Sequence, residues 1–337
     1  MIWANKTFLI AEAGVNHNGD LEKAYQLIDA AAEAKVDAIK FQSFKADNLV
    51  SKSAKMAEYQ KQNLGYEDSQ YAMLKKLEIP VPALSQLKNY AESKGLIWFS
   101  TAFDFESIDT LIELDIPVWK IPSGEITNYP YLKKIAALNK PVILSTGMCN
   151  LADIEAALKV FLDCGRKREE ICILHCNTEY PTPWTDVNLK AMVSMGQIFG
   201  TAYGYSDHTT GITVPTAAVA LGAKVIEKHF TLDKNLPGPD HKASLEPHEL
   251  KAMVDSIRVV EQVLGSSIKF VSDSERKNIH VARKSIVAAT DIQKGELMSE
   301  DVLTTMRPGD GISPMFWNEV VGQPAVRDYK AGDKIEW

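Results

Sequence analysis

The chain has 337 residues, 45% hydrophobic and 24% charged, an ordinary composition for a globular protein of one or two domains. Its formal net charge of −7 disfavours nucleic acid or an anionic membrane as partner, so an anionic ligand has to be held by local lysines and backbone amides. No apolar run approaches the ~20 residues of a membrane span. The opening MIWANKTFLIAEAG does not read as a signal peptide, and Cys149, Cys164, Cys172 and Cys176 form no CxxC pair, which predicts reduced thiols in a cytoplasmic protein.

Short apolar, β-branched runs alternate with helical patterns along most of the chain. The first is TFLIAE (7–12), followed by a helix that Asp20 caps and that shows Ala24, Leu27, Ile28 and Ala31 on one side. VDAIKFQ (36–42), LIWFSTAF (96–103), PVWKIPSG (117–124), PVILSTG (141–147) and ICILHCN (171–177) come next, then AYGYSDH (202–208) and KVIEKHF (224–230). Between the last two, Pro215 and Gly222 bound a helix. After the eighth run, Pro247 opens a helix with a stripe of Leu250, Met253, Val254, Ile257, Val260 and Leu264, closed by Gly265. Near-continuous apolar strands alternating with amphipathic helices predict a parallel sheet covered by helices, and eight such units predict a (β/α)8 TIM barrel over residues 1–265. No GxGxxG follows the first strand to support a dinucleotide fold. Residues 266–280 read as a linker. Residues 281–337 read as a small β-rich domain containing two copies of a turn unit, DIQKGE (291–296) and DYKAGD (328–333).

Polar residues gather where the strands end: Glu12; Lys40 and Gln42; Ser100 and Thr101; Lys120, Ser123 and Glu125; Ser145 and Thr146; His175 and Asn177; Ser206, Asp207 and His208; Glu227, Lys228 and His229. In a barrel these ends share one rim, where active sites are built, so an enzyme is expected. His208 and His229, on adjacent strands, either share one divalent ion or are hydrogen-bonded rim histidines. A metal hydrolase with HxH on its first strand is disfavoured, because NHN supplies only His17. Lys40, Lys120 and Lys228 suit capture of a phosphate or carboxylate; a Schiff-base aldolase and simple pairing with nearby glutamates are the competing readings. PSGE and LSTG each bring a hydroxyl and a glycine to a strand end, where backbone amides can approach an anion. Asp240, in the loop LPGPDHKAS (236–244), either recognises a hydroxyl or stabilises its turn.

AEAGVNHNGD, IKFQSFKAD, KIPSGE, ILSTGM, LHCNTEYPTP, GYSDHTTG, IEKHFTLDKNLPGPDHKAS and RPGDGISP, in this order from residue 11 to about 314, together resemble the bacterial sialic acid synthases. The C-terminal segment resembles that family's antifreeze-like (SAF) domain. The resemblance implies condensation of phosphoenolpyruvate with N-acetylmannosamine or a close relative. The nearest alternative is 2,4-diacetamido-2,4,6-trideoxymannose, which gives legionaminic acid, and parts of the loop after the second strand, EYQ (58–60) and EDSQ (67–70), are candidates for reading that sugar.

Carried over residue by residue, the resemblance implies that His208 and His229 hold Mn2+ or Mg2+. Lys40, Thr101, Lys120, Ser123, Ser145 and Ser206 are expected around phosphoenolpyruvate. Some members carry asparagine where this chain has Thr178, and Asn177 is expected to substitute. Gln42, Tyr180 and Asp240 are expected near the sugar or metal, and Glu12 and Glu125 near the reacting carbons. Arg307 is expected to reach the sugar from the SAF domain of a partner subunit, which implies a domain-swapped homodimer.

Overall fold

Residues 1–64 and 69–337 are described by the computed structural model, which divides into two units, Met1–Gly265 and Ser266–Trp337. In the first unit each apolar run becomes a strand: β1 (Phe8–Gly14), β2 (Ala38–Ser43), β3 (Ile97–Ala102), β4 (Trp119–Ile121), β5 (Val142–Ser145), β6 (Ile171–His175), β7 (Ala202–Asp207) and β8 (Val225–His229). The hydrogen-bonded order is β3-β2-β1-β8-β7-β6-β5-β4. Every pair in that ladder is parallel, and its two ends, β3 and β4, also lie against each other. Helices connect the strands and cover the sheet, giving the expected barrel. All seven residues of β1 are buried, as a strand enclosed on both faces requires.

Local chemistry sets where the elements begin and end. Asp20 caps the helix Leu21–Ala34, its carboxylate accepting from the Glu22 amide at 2.9 Å, and Ala24, Leu27, Ile28 and Ala31 are buried beneath it. The run PVWKIPSG yields a strand of only three residues, because Pro122 has no N–H for the ladder and Ser123–Glu125 turns into a 3-10 helix. The helix Thr213–Ala220 starts two residues before Pro215, which sits in the first turn, where backbone N–H groups have no intrahelical partner. The helix Pro247–Leu264 begins on its proline, but its buried stripe fades at half-buried Val260, and Leu264 is 52% exposed. No helix among the described residues is long and apolar enough to cross a membrane.

A second, smaller apolar cluster lies outside the barrel core. Val15, Phe44, Met56, Met73 and Leu77 form it, with Leu49, Leu74 and Phe103 packed against them. Most of these residues come from the long excursion between β2 and the helix Val81–Ser93, so the segment carries its own small core.

The second unit holds the antiparallel pair β9 (Ser285–Ala288) and β10 (Leu303–Met306) around a core that includes Ile286, Ile292, Leu303, Tyr329 and Ile335. The two turn copies pair with each other. Ile292 and Tyr329 exchange backbone hydrogen bonds at 2.9 Å, the Lys294 amide donates to Asp328 at 2.7 Å, and the Ala331 amide donates to Asp291 at 3.1 Å. Each aspartate thus accepts from the fourth residue of the other copy. Residues 266–280 include a helical turn, Asp273–Arg276, capped by Ser272.

One ion pair fastens the rim of the barrel. Asp207 and Lys228 are opposite each other in the β7–β8 register, both fully buried, with Nζ 2.7 Å from Oδ2 and a further bond to the Thr209 carbonyl. Removing one member leaves a buried charge without its partner. Lys228→Met is therefore expected to cost about 3–5 kcal/mol in urea unfolding, and adding Asp207→Asn should recover part of that loss.

Candidate active site

Strand register brings the site together. Glu12 of β1 stands opposite Lys40 of β2 on one side and His229 of β8 on the other. Gln42 is opposite Thr101 of β3, and Ser206 of β7 is opposite Glu227 of β8. These side chains project into a cavity of about 660 Å3. Lys120, Ser123, Glu125, Ser145, Tyr180, His208 and Asp240 also line it, so thirteen of the fifteen expected site residues converge there.

The floor is a cluster of charges removed from water. Lys40 Nζ lies 2.8 Å from Glu12 Oε2, 2.9 Å from Thr101 Oγ1 and 3.7 Å from Glu227 Oε1. Lys120 Nζ lies 3.3 Å from the same Glu227 oxygen, and Ser206 Oγ donates to it at 3.4 Å. Burial pushes the Glu12 carboxyl up to about 7, against the pull of the Lys40 ammonium. Burial acts on Glu227 too, but Lys120 and Lys40 outweigh it and hold that carboxyl below its ordinary value. Burial draws the Lys120 ammonium down. Near neutrality, then, Glu227 is ionised while Glu12 exchanges a proton. Glu227 Oε2 and Ser145 Oγ are buried with no partner among the described residues, the condition of groups that await a ligand.

Above the floor, the His208 and His229 rings lie with centroids 5.3 Å apart, inclined at 64°. Tyr180 stacks on His208 at 4.0 Å and meets His229 edge-on at 5.5 Å. Burial brings His208 down to about 4 and His229 well below its usual range, so both are neutral at pH 7. His208 Nδ1 donates to the Asn177 carbonyl, so the ring proton sits on Nδ1 and the Nε2 lone pair is free. His229 Nδ1 is buried with no hydrogen-bond partner among the described residues, 3.8 Å from Asp240, whose carboxyl burial raises to about 7. Two neutral imidazoles with free lone pairs are donors that fit a divalent cation. Among the described residues no three His, Cys, Asp or Glu side chains converge as a metal cage, so such an ion would keep positions open for water and substrate.

Two expected residues lie elsewhere. Asn177 is not among the lining residues: its side chain accepts from the Glu179 amide at 2.8 Å, and its backbone carbonyl orients His208. Arg307 belongs to the second unit, where it is exposed and donates from Nε to the Ala282 carbonyl at 3.0 Å. Among the rim polar groups, Lys228 does not line the cavity with Lys40 and Lys120, because it faces the outer side of the sheet with Asp207. Ser100 bonds Ser43, Thr146 bonds the Leu174 carbonyl and His175 bonds the Val187 carbonyl. Glu227 stands at the centre of the floor, although the resemblance assigns it no role. Strand alternation was the signal for it: with His229 facing inward, Glu227 two residues earlier must face inward and Lys228 outward. Glu125 is half-buried, with Asn128 Nδ2 donating to it at 2.6 Å. Of the two loop stretches after β2, Glu58, Gln60 and Gln70 line the cavity, whereas Glu67 and Asp68 lie outside the described residues.

Gly147 shows how tightly the loops converge. A side chain there would stand 2.6 Å from Thr178 Cγ2 and 2.9 Å from Ser123 Oγ, the oxygen to which the Gly147 amide donates at 2.9 Å.

The NeuB family profile matches residues 27–269, and a SAF domain matches residues 283–337. The chain belongs to the NeuB family. Among its relatives, an N,N'-diacetyllegionaminic acid synthase of Campylobacter jejuni is 55% identical over 98% of this chain and 99% of its own. A protein of the same name from Legionella pneumophila is 48% identical, covering 98% and 93%. Among solved structures, an N-acetylneuraminic acid synthetase of Leptospira borgpetersenii in complex with citrate superposes with a TM-score of 0.71 at 34% identity, over 82% of this chain and 90% of that one. This NeuB family member is accordingly an enzyme of the sugar-acid synthase type.

The buried titratable groups fix the sign of its acid response. His17, His208 and His241 fall from 6.5 to about 4 and His229 further, all chiefly by burial. Their folded values lie below the unfolded ones, so the stability they contribute is present above pH 6.5 and is lost as the pH falls toward 4. Glu12 and Asp240 act oppositely: raised from 4.5 and 3.8 to about 7, they contribute at low pH and lose that contribution as the pH rises to 7. Four histidines outnumber two carboxyls, so the urea midpoint should rise between pH 4.5 and pH 6.5. Glu12→Gln, which removes one opposing group, should steepen that rise; a shallower one would contradict the assignment.

Proposed function

We propose that the protein condenses phosphoenolpyruvate with 2,4-diacetamido-2,4,6-trideoxymannose and water, forming N,N'-diacetyllegionaminic acid and phosphate. The observation that carries this reading is the 55% identity to a legionaminic acid synthase along almost the whole of both chains. The sequence motifs alone favoured N-acetylmannosamine as the sugar. The lower identity of 34% to the N-acetylneuraminic acid synthetase moves that sugar to second place.

The cavity suits the chemistry. Phosphoenolpyruvate is a compact polyanion. Lys40 and Lys120 supply two ammonium groups, while Thr101, Ser123, Ser145 and Ser206 supply hydroxyls around them. The ionised Glu227 keeps the two lysines close until the anion arrives, and the partly protonated Glu12 limits the opposing negative charge. In the reaction, C3 of the enol phosphate bonds to the sugar's aldehyde carbon and positive charge grows at C2. The aldehyde oxygen takes up a proton to become a hydroxyl, water adds to C2 and gives one proton to a carboxylate, and the remaining C2 hydroxyl loses its proton as the C2–O bond to phosphate breaks, leaving the C2 ketone and phosphate. Glu12, exchanging its proton near neutrality on this floor, is suited to that transfer, with Glu125 across the cavity as the second candidate. A divalent cation, Mn2+ or Mg2+, on His208 and His229 would supply Lewis-acid polarisation of the aldehyde oxygen. Tyr180, stacked on His208, fixes the plane of that ring.

In this reading the active form is a swapped homodimer in the cytoplasm, with Arg307 of one subunit serving the sugar of the other; what supports it is the SAF domain and an exposed guanidinium in a turn-rich loop. A Schiff-base aldolase fits less well, because both floor lysines are held by carboxylates and Lys228 faces away.

Phosphate release assayed with each sugar tests the reading directly. Turnover should be higher with the diacetamido sugar and should be lost in EDTA and restored by Mn2+; a borohydride-trapped lysine adduct would refute it. His229→Ala should abolish turnover with little change in thermal midpoint. Arg307→Ala should raise the KM for the sugar more than that for phosphoenolpyruvate, and equal effects would remove its assigned role.

A further inference from the structure

The cavity has two unlike sides. Its floor and its β7–β8 side are charged or hydrogen-bonding, with Glu12, Lys40, Lys120, Glu227 and the two histidines. Across β1, on the side of β2 and β3, beside the polar Gln42, Glu58, Gln60 and Gln70, the lining also carries an apolar patch of Phe44, Leu49, Met73, Leu74, Leu77 and Phe103. These residues belong to the satellite cluster, not to the barrel core. Phe44 and Met73 are buried within it, while Leu49, Leu74 and Phe103 are only half-buried and keep part of their surface free. Phe44 and Phe103 meet edge to face with centroids 6.3 Å apart, which fixes the wall's shape. Neither phosphoenolpyruvate nor the groups that handle protons have any use for such a surface.

We infer that this wall, centred on Leu74 and Phe103, is the specificity surface for the far end of the sugar and takes the methyl groups at C6 and on the C4 acetamide. The inference rests on the substrate reading above and extends it to particular residues. The sugar's aldehyde end has to face the floor and the histidines, so C4 to C6 extend across β1 toward the wall. N-acetylmannosamine presents hydroxyls at C4 and C6. The trideoxy sugar presents a methyl at C6 and an acetamido methyl at C4. A hydroxyl pressed against Leu74 and Phe103 loses its water without gaining a partner from those side chains, whereas a methyl gains apolar burial. One methylene in a hydrophobic pocket discriminates by about 10–200-fold, so two such positions are enough to separate the sugars.

The test is the ratio of kcat/KM for the diacetamido sugar to that for N-acetylmannosamine. Leu74→Gln should lower this ratio by about 10-fold or more, through the KM of the diacetamido sugar, whereas Leu74→Met, of similar volume but apolar, should keep it. Phe103→Leu should likewise keep most of it. An unchanged ratio in Leu74→Gln, with the wild type using the diacetamido sugar, overturns the wall and leaves the substrate reading standing. A wild type that does not use that sugar overturns both. A probe that needs no variant is 2-acetamido-2,6-dideoxymannose, which differs from N-acetylmannosamine only in lacking the C6 hydroxyl. With the wild type its kcat/KM should exceed that of N-acetylmannosamine by about 10-fold, and equal values would overturn the wall even if the Leu74 variants failed to fold.

Discussion

Two ammonium groups and two carboxyls share a floor from which water is excluded, and the rest of the site follows from having to keep them there. Lys40 bridges Glu12 and Glu227 while Lys120 leans on Glu227 alone, so removing Glu227 would strand the Lys120 charge. The same exclusion of water holds both histidines neutral and brings the carboxyls of Glu12 and Asp240 close to the ambient pH. One cause thus prepares an anion site, a pair of lone-pair donors and a proton acceptor. The barrel supplies the enclosure: parallel strands covered by helices deliver every contributing side chain to one end, and their register sets which stand opposite.

The sequence disclosed the barrel because its two periodicities are strong. All eight apolar runs became strands, and Asp20 and Pro247 marked helix starts that the structure keeps. The set of polar strand ends was also legible as a set. What it did not disclose was direction. Taking every polar residue near a strand end as part of one rim grouped Lys228 with Lys40 and Lys120, although alternation within IEKHF places it on the opposite face from His229. The same alternation separates Glu227, which faces inward, from Lys228. Asn177 lies where periodicity no longer constrains the chain: after β6 it leaves regular structure, and the side chain bonds within its own loop.

The apolar side of the cavity could not have been read from periodicity either. Leu49, Leu74 and Phe103 are scattered over three segments and meet only because the excursion after β2 folds back over the barrel mouth. The division of labour has a physical logic. In the proposed reading, the charged floor sits largely on strands, whose positions are fixed by ladders on both sides, while discrimination between sugars falls to a segment with a small core of its own, which can change without disturbing the charges beneath.

The mutual pairing of the two turn copies in the C-terminal unit bears on how that unit assembles. Its reciprocal aspartate–amide bonds join residues 34 and 40 positions apart, and its two short strands give little local structure on which to build. Loop-closure entropy must therefore be met before most of its contacts form, so its topology favours slow acquisition of structure relative to the helix-rich connections of the barrel.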